Sequence, residues 1–343
     1  MGDASELVFG VTWYDELGCV DRPYTLTVFE YPDLAVEVSL FDVKNRRMFL
    51  KKSPYKELRV EDLYVGAKVT VHARVFKVTA YGNDATKGRF TQARSLVTAL
   101  VPPQCYADFG TVLTLAQRSG FLLSKLKTLP EPGYEGGVAL AVELVGSLGG
   151  AQAPQELWQA VFRGSSEPCA REVQLKLSGP DTAALFTGNA TTAAFDSCAL
   201  LVVKPHAVRE GVAGQVVSAL IEANFQVSCM QLFNLSRTEA ENLTEVYDGV
   251  INPSEYAALT LELSSGPLLA IEVRAENAVE ELRQLVGPAD FEVAKQLRPN
   301  TLRARFGKST VHNAIHCTDL PEDGQLDSSF FFDVLLNQTA HAN

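Results

Sequence analysis

The sequence predicts an α+β protein in three parts: a small N-terminal β-sheet module, barrel-like in the manner of a PH domain, followed by two ferredoxin-like βαββαβ units. Three observations lead there. The first 90 or so residues alternate apolar and polar positions over short runs, without a long helical pattern. From about residue 92 the pattern becomes strand, helix, strand. That second pattern then occurs twice, 104 residues apart, so the boundaries fall at 1–91, 92–196 and 197–343.

The 343 residues allow two or three domains at roughly 150 residues each. With 46% hydrophobic and 21% charged residues the chain is expected to be folded over most of its length. Thirty basic and 41 acidic side chains give a net charge of −11, which excludes bulk attraction to nucleic acid or anionic lipid. No apolar run approaches the roughly 18 residues of a membrane span, and the first residues lack the order of a signal peptide. Six cysteines without a C-x-x-C pair indicate neither a zinc site nor a disulfide framework. The expectation is a soluble intracellular protein in a reducing compartment.

In the first part, Tyr24, Leu26 and Val28 alternate with polar partners. A turn at Tyr31-Pro32-Asp33 then leads into Val36, Val38 and Leu40, a hairpin pattern. Val69, Val71, Ala73 and Val75 hold one phase before a shift to Phe76 and Val78, which predicts a single strand bent by a bulge near Val75. Lys44, Arg46, Arg47, Lys51 and Lys52 form a basic cluster in an otherwise acidic chain.

In the repeat, the helix opened by Gly110 and ending before Phe121 aligns with the helix opened by Gly214 and ending before Phe225. Strand segments Leu96–Pro103 and Ala199–Pro205 precede them, and Gly137–Glu143 echoes Gly266–Glu272. From Phe121 to Gly137 is 16 residues, but from Phe225 to Gly266 is 41. The additional 25 residues predict two short helices, Glu239–Tyr247 and Glu255–Leu263, walling a pocket in the second unit alone.

Several residues can carry chemistry. Lys204 follows the apolar run Leu200–Val203 and so closes a buried strand. Val279, Leu282 and Val286 mark the buried side of a helix over Ala278–Val286, with Arg283 at its margin. In Thr301–Phe306 an extended conformation would put Arg303 and Arg305 on one face. Two of the chain's five histidines lie in Val311–Asp319, without partners at metal-ligand spacing, so no metal ligand is assigned. A histidine near Lys204, Arg283 and Arg303 suits phosphoryl transfer through a phosphohistidine, and the missing G-x-x-x-x-G-K-[ST] loop excludes a P-loop ATPase.

Residues 197–343 resemble nucleoside diphosphate kinases through Leu200-Leu-Val-Val-Lys-Pro205, Gly214, Ser265-Gly-Pro267, Arg303 and Asn313-Ala-Ile-His-Cys-Thr-Asp319. The last segment is similar to the family's Asn-x-x-His-Gly-Ser-Asp motif. The resemblance implies that His316 is the phosphorylated nucleophile. It implies too that Lys204, Arg283, Arg303 and Asn313 hold the phosphates and sugar of ATP or another nucleoside triphosphate with Mg2+. Thr318 and Asp327 would support the histidine, Asp327 in the place of a family glutamate that orients it. Departures are Cys317 and Thr318 for glycine and serine, Ala289 for a threonine, three extra residues before Arg303, and only Glu255 or Tyr256 near a stacking phenylalanine's place. In residues 92–196, Pro102 replaces the lysine, Trp158 takes an arginine's place and no histidine occurs.

The order of one β module and two kinase-like units is similar to a ciliary branch of the family that carries an N-terminal DM-ten domain. Tyr31-Pro32-Asp33, Arg47–Lys51 and Asp62–Gly66 carry that likeness. It implies a cilium or flagellum axoneme location with a cytoplasmic pool, as a structural protein inside doublet microtubules. The implied partners are tubulin, other axonemal proteins and nucleotide, with neither nucleic acid nor membrane. The alternatives are a nucleotide-sensing scaffold without turnover and a regulator of the γ-tubulin complex.

Overall fold

The computed structural model describes residues 4–15, 18, 20–32, 35–56, 58–72, 74–91, 96–130, 137–146, 169, 172–177 and 180–341. Six antiparallel strands form a curled N-terminal sheet in the order β4-β3-β2-β1-β6-β5. They are β1 Ser5–Asp15, β2 Val20–Glu30, β3 Val36–Asp42, β4 Arg47–Pro54, β5 Lys68–Val71 and β6 Arg74–Tyr81. The alternation works as read: Leu26 faces Leu40 and Val28 faces Val38, all four buried.

Two expectations for this module need correction. The run from Val69 to Val78 is a tight hairpin rather than one bulged strand, with Val71 paired to Arg74 and His72 at φ 45°. The phase change marked the chain reversing. The module also ends in a helix, α1 Asp84–Thr91, started by Asn83 accepting from the Thr86 amide at 2.7 Å. Its single large buried side chain, Phe90, meets Phe9 edge-on at 5.3 Å, too little apolar content to give a helical period.

The rest of the chain builds one eight-stranded antiparallel sheet, order β10-β7-β9-β8-β12-β13-β11-β14. Its strands are β7 Leu96–Val101, β8 Leu122–Pro130, β9 Val138–Val145, β10 Gln174–Leu177, β11 Cys198–Val203, β12 Gln226–Asn234, β13 Pro267–Arg274 and β14 Ile315–Cys317. Numbered within each group of four, both groups have the order 4-1-3-2, and they meet where Lys127 of β8 faces Gln231 of β12. Each group has a register shift at a serine, Ser124 and Ser228, whose hydroxyl donates to a buried glutamate, Glu143 at 2.9 Å and Glu272 at 2.6 Å.

The helices α2 Phe109–Arg118 and α4 Ala213–Glu222 cross on one face of this sheet. A Cβ on Gly110 would lie 2.5 Å from the Gly214 carbonyl oxygen, and one on Gly214 would lie 2.5 Å from the Gly110 oxygen. The crossing is therefore open only to glycine at both positions. Phe109, Leu113, Val216, Leu220, Leu201 and Ile271 share one core across the two groups. Tyr64 ties the N-terminal module to the sheet by donating to Ser124 Oγ at 2.6 Å.

The 25-residue excess after β12 folds as expected into helices, α5 Arg237–Leu243 and α6 Pro253–Leu263. Ser236 and Glu239 form a reciprocal capping box that starts α5. Only residues 131–137 separate β8 from β9, and Trp158 lies outside the described residues. No described helix is long and apolar enough to cross a membrane. Cys105, Cys169, Cys198, Cys229 and Cys317 are free thiols.

Candidate active site

His316 sits on the edge strand β14, paired with Val202 of β11. Ile315 and Cys317 alternate into the core beneath the crossing helices, so His316 points to the other face. Leu200 and Val202 on that face pack with Ala240 and Leu243 of α5, so the insert covers the histidine's side of the sheet. His316 is only 8% exposed. Burial first, then the charges of Lys204 and Arg303 outweighing Asp319, pull its pKa down to about 4. The imidazole is neutral at physiological pH.

Lys204 follows β11 as expected, with Pro205 opening α3 Pro205–Arg209, and it is 2% exposed. Its Nζ donates to the Val311 carbonyl at 2.9 Å. Burial, then the Arg303 charge, lower its pKa to about 7 against an opposing pull from Glu262.

Arg303 is reached differently from the expected extended segment. Residues Leu302–Phe306 form α9, a single helical turn after α7 Ala278–Val286 and α8 Phe291–Leu297. Five residues are too few for helical period and strand alternation to be told apart. The turn buries Arg303, whose Nε donates to the Ile315 carbonyl at 3.0 Å and whose guanidinium also donates to the Gly287 carbonyl at 2.8 Å. Arg283 lies at the exposed margin of α7 and donates to both the main-chain oxygen and the carboxylate of Asp319, the latter at 3.0 Å.

Asn313 donates from Nδ2 to the Ala289 carbonyl at 2.9 Å, while its Oδ1 is buried with no partner. A cleft of about 520 Å3 is lined by Arg283, Gly287, Ala289, Arg303, Cys317 and Asp319; His316, Lys204 and Asn313 are not among its lining residues. Thr318 is buried; its hydroxyl accepts from the Leu200 amide at 3.1 Å and holds the Asp327 carboxyl. The Asp327 carboxyl is thus held by Thr318, and no hydrogen bond among the described residues joins His316 to it. Burial pushes its pKa up to about 6 in spite of that bond, with Asp323 and Asp319 adding to the rise.

Tyr247, at the end of the first insert helix region, was not singled out by its sequence context. Its ring stands perpendicular to His316 with centroids 6.1 Å apart, and its hydroxyl donates to Asp319. The available signal was an aromatic residue inside the insert already expected to wall the pocket. Tyr256, by contrast, turns its hydroxyl to the Glu241 carbonyl at 3.5 Å.

The desolvated His316 imidazole lies near the charges of Lys204 and Arg303, with Arg283 on the neighbouring cleft, an arrangement whose chemistry is compatible with phosphoryl transfer through a histidine. The nucleoside diphosphate kinase family model matches residues 197–335. Nucleoside diphosphate kinase homolog 7 of Rattus norvegicus is 34% identical over 97% of this chain and 94% of its own, and that of Mus musculus is 35% identical over the same shares. The Aquifex aeolicus nucleoside diphosphate kinase is 34% identical over 39% of this chain and 92% of its own. The chain belongs to the nucleoside diphosphate kinase family.

Proposed function

We propose that residues 197–335 move the γ-phosphoryl group of a nucleoside triphosphate to a diphosphate through a phosphohistidine at His316. The single observation that carries this is the neutral His316 beside the charges of Lys204 and Arg303. A ring nitrogen of His316 bonds to the γ-phosphorus as the bond to the bridging oxygen breaks, and the diphosphate leaves with the electron pair. A terminal oxygen of a second diphosphate then takes the phosphoryl group and restores the imidazole. Lys204, Arg283 and Arg303 meet the negative charge on the transferred group.

The donor set fits a magnesium nucleotide: three cations for the phosphates, and Asn313 Oδ1 as a buried acceptor open to a hydroxyl or a water. Magnesium would neutralise phosphate charge in the bound nucleotide, and Lys204, Arg283 and Arg303 would hold that complex. The test incubates the full chain with γ-labelled ATP and magnesium. The expected product is an acid-labile, base-stable phosphoenzyme that added diphosphate discharges and that His316→Gln abolishes. A folded wild type that stays unlabelled leaves a nucleotide-sensing scaffold.

We also read β10-β7-β9-β8 as a degenerate copy of the same fold, kept for its surface in a protein of the axonemal doublet microtubule. Lys44, Arg46, Arg47 and Lys51 are exposed on or beside the edge strand β4, and tubulin is acidic. Lys52 is already engaged by Glu37 at 3.2 Å and by the Phe29 ring. Reversing the four exposed charges to glutamate should reduce co-sedimentation of the full chain with microtubules. Unchanged co-sedimentation removes this face from the interaction.

A further inference from the structure

Outside the phosphoryl-transfer machinery, three side chains from distant parts of the chain converge. His206 lies in the first turn of α3, Glu262 at the end of α6 and His312 in the loop before β14. His206 Nδ1 is 2.7 Å from Glu262 Oε1, His312 Nε2 is 3.3 Å from Glu262 Oε2, and one ligand atom from each residue lies within 4.8 Å of the other two. His206 and Glu262 are buried, whereas the His312 side chain is 49% exposed. The imidazole rings are 4.9 Å apart and nearly perpendicular, so they do not stack.

We infer that His206, Glu262 and His312 form a site for a divalent transition metal of the zinc class. Two imidazoles and one carboxylate are a donor set that suits zinc, while magnesium favours oxygen ligands, so the site is chemically distinct from a nucleotide's magnesium. Ligand atoms about 2 Å from a tetrahedral zinc lie roughly 3.3 Å from one another. The contacts of 2.7 and 3.3 Å fall one on each oxygen of the Glu262 carboxylate, and one ligand atom from each of the three residues lies within 4.8 Å of the others. The remaining gap between the imidazoles closes by a small inward swing of His312, which is on a loop and half-exposed.

Further features support ligation over a plain ion pair. Ser309 Oγ stands 3.5 Å from His312 Nδ1, on the ring edge away from Glu262, where a histidine ligand's second nitrogen usually finds an oxygen. The His206 amide donates to Glu262 Oε1 at 3.1 Å, which fixes the carboxylate between the rings. The half-exposed His312 leaves one coordination position facing water, so three protein ligands and one solvent complete four-coordination.

The position gives the metal a consequence. Val311, adjacent to His312, accepts the Lys204 ammonium, and Lys204 is two residues before His206. A metal would clamp the loop onto α3 and α6 around that lysine. The spacing of His206, Glu262 and His312 in sequence, 56 and 50 residues, hides the site from any short-motif search.

The experiment uses the untagged full chain, stripped with chelator and titrated with Co2+ in millimolar Mg2+. Visible d–d bands of a four- or five-coordinate cobalt site are expected to saturate at one equivalent and to be displaced by Zn2+ but not by further Mg2+. His312→Gln, at a half-exposed position, is expected to keep the thermal melt of the metal-free chain and to weaken binding by more than about 100-fold. His72→Gln, in the exposed β5–β6 turn, is expected to bind as wild type does. No saturable bands, or bands unchanged in His312→Gln, overturn the inference.

Discussion

The two halves of the eight-stranded sheet share a scaffold and differ in chemistry. Each has the strand order 4-1-3-2, a helix whose second residue is a glycine, and a bulged serine bonded to a buried glutamate. After the first strand, one half continues with Pro102 and the other with Lys204. Only the second has the α5–α6 insert that brings Tyr247 over His316. The shared features hold strands and helices together; the features that differ are the ones proposed to hold phosphate. Folding and the proposed catalysis thus rest on separable sets of residues in one fold.

The sharpest test of that separation is the residue closing the first strand of each half. Lys204→Ala should lower the rate of His316 phosphorylation by roughly 10²–10³, the typical loss of one preorganised partner. Pro102→Lys in the other half should leave the rate unchanged, as measured with labelled ATP in the full chain. A comparable effect from both would show that the first half takes part in the chemistry.

The scaffold should respond symmetrically. Gly110→Ala and Gly214→Ala each drive a Cβ against the backbone of the facing helix and should cost about 3 kcal/mol or more in urea denaturation. Each variant is expected to destabilise both halves together, because one core spans them. Two separate transitions, with only the mutated half weakened, would mean that the halves fold independently.

A smaller effect lies in pH. His316 is held down to about 4 from an ordinary 6.5, so the nucleophile stays neutral in mildly acid solution. Below pH 6, where Lys204 with its pKa of about 7 already carries its proton, labelling should stay level and fall only as pH approaches 4, provided the chain is folded. In the unfolded chain this histidine takes a proton below about 6.5, whereas in the folded chain it does so only near 4. Its contribution to stability is therefore complete above 6.5 and lost as pH falls toward 4. Denaturation at pH 7 and pH 5 should show a smaller loss in His316→Gln than in wild type. Equal losses would place the burial of His316 in doubt.

Much of this architecture is legible in the chain. The helix Ala278–Val286 has the bounds its apolar period indicates, and the hairpin around Tyr31 pairs the residues its alternation indicates. Both elements are long enough for their period to repeat. The misread elements are short: the Val71–Arg74 reversal, the five-residue turn carrying Arg303, and a helix with one buried ring. In the site, the motif around His316 and the strand-closing Lys204 were visible because strand and chemistry adjoin in sequence. Tyr247 and the Glu262 carboxylate were not, since what they touch lies 50 or more residues away.

By itself the sequence determined the repeat at 104 residues, the helical insert in one copy, and the residues around His316, because each depends on local period or on neighbours along the chain. Tertiary structure decided that the two groups of four strands share one sheet, that Gly110 and Gly214 exist for each other, and that His206 and His312 face a common carboxylate. Those are contacts between segments whose separation in sequence leaves no periodic trace. They are fixed only when burial brings backbones and charges within a few ångströms.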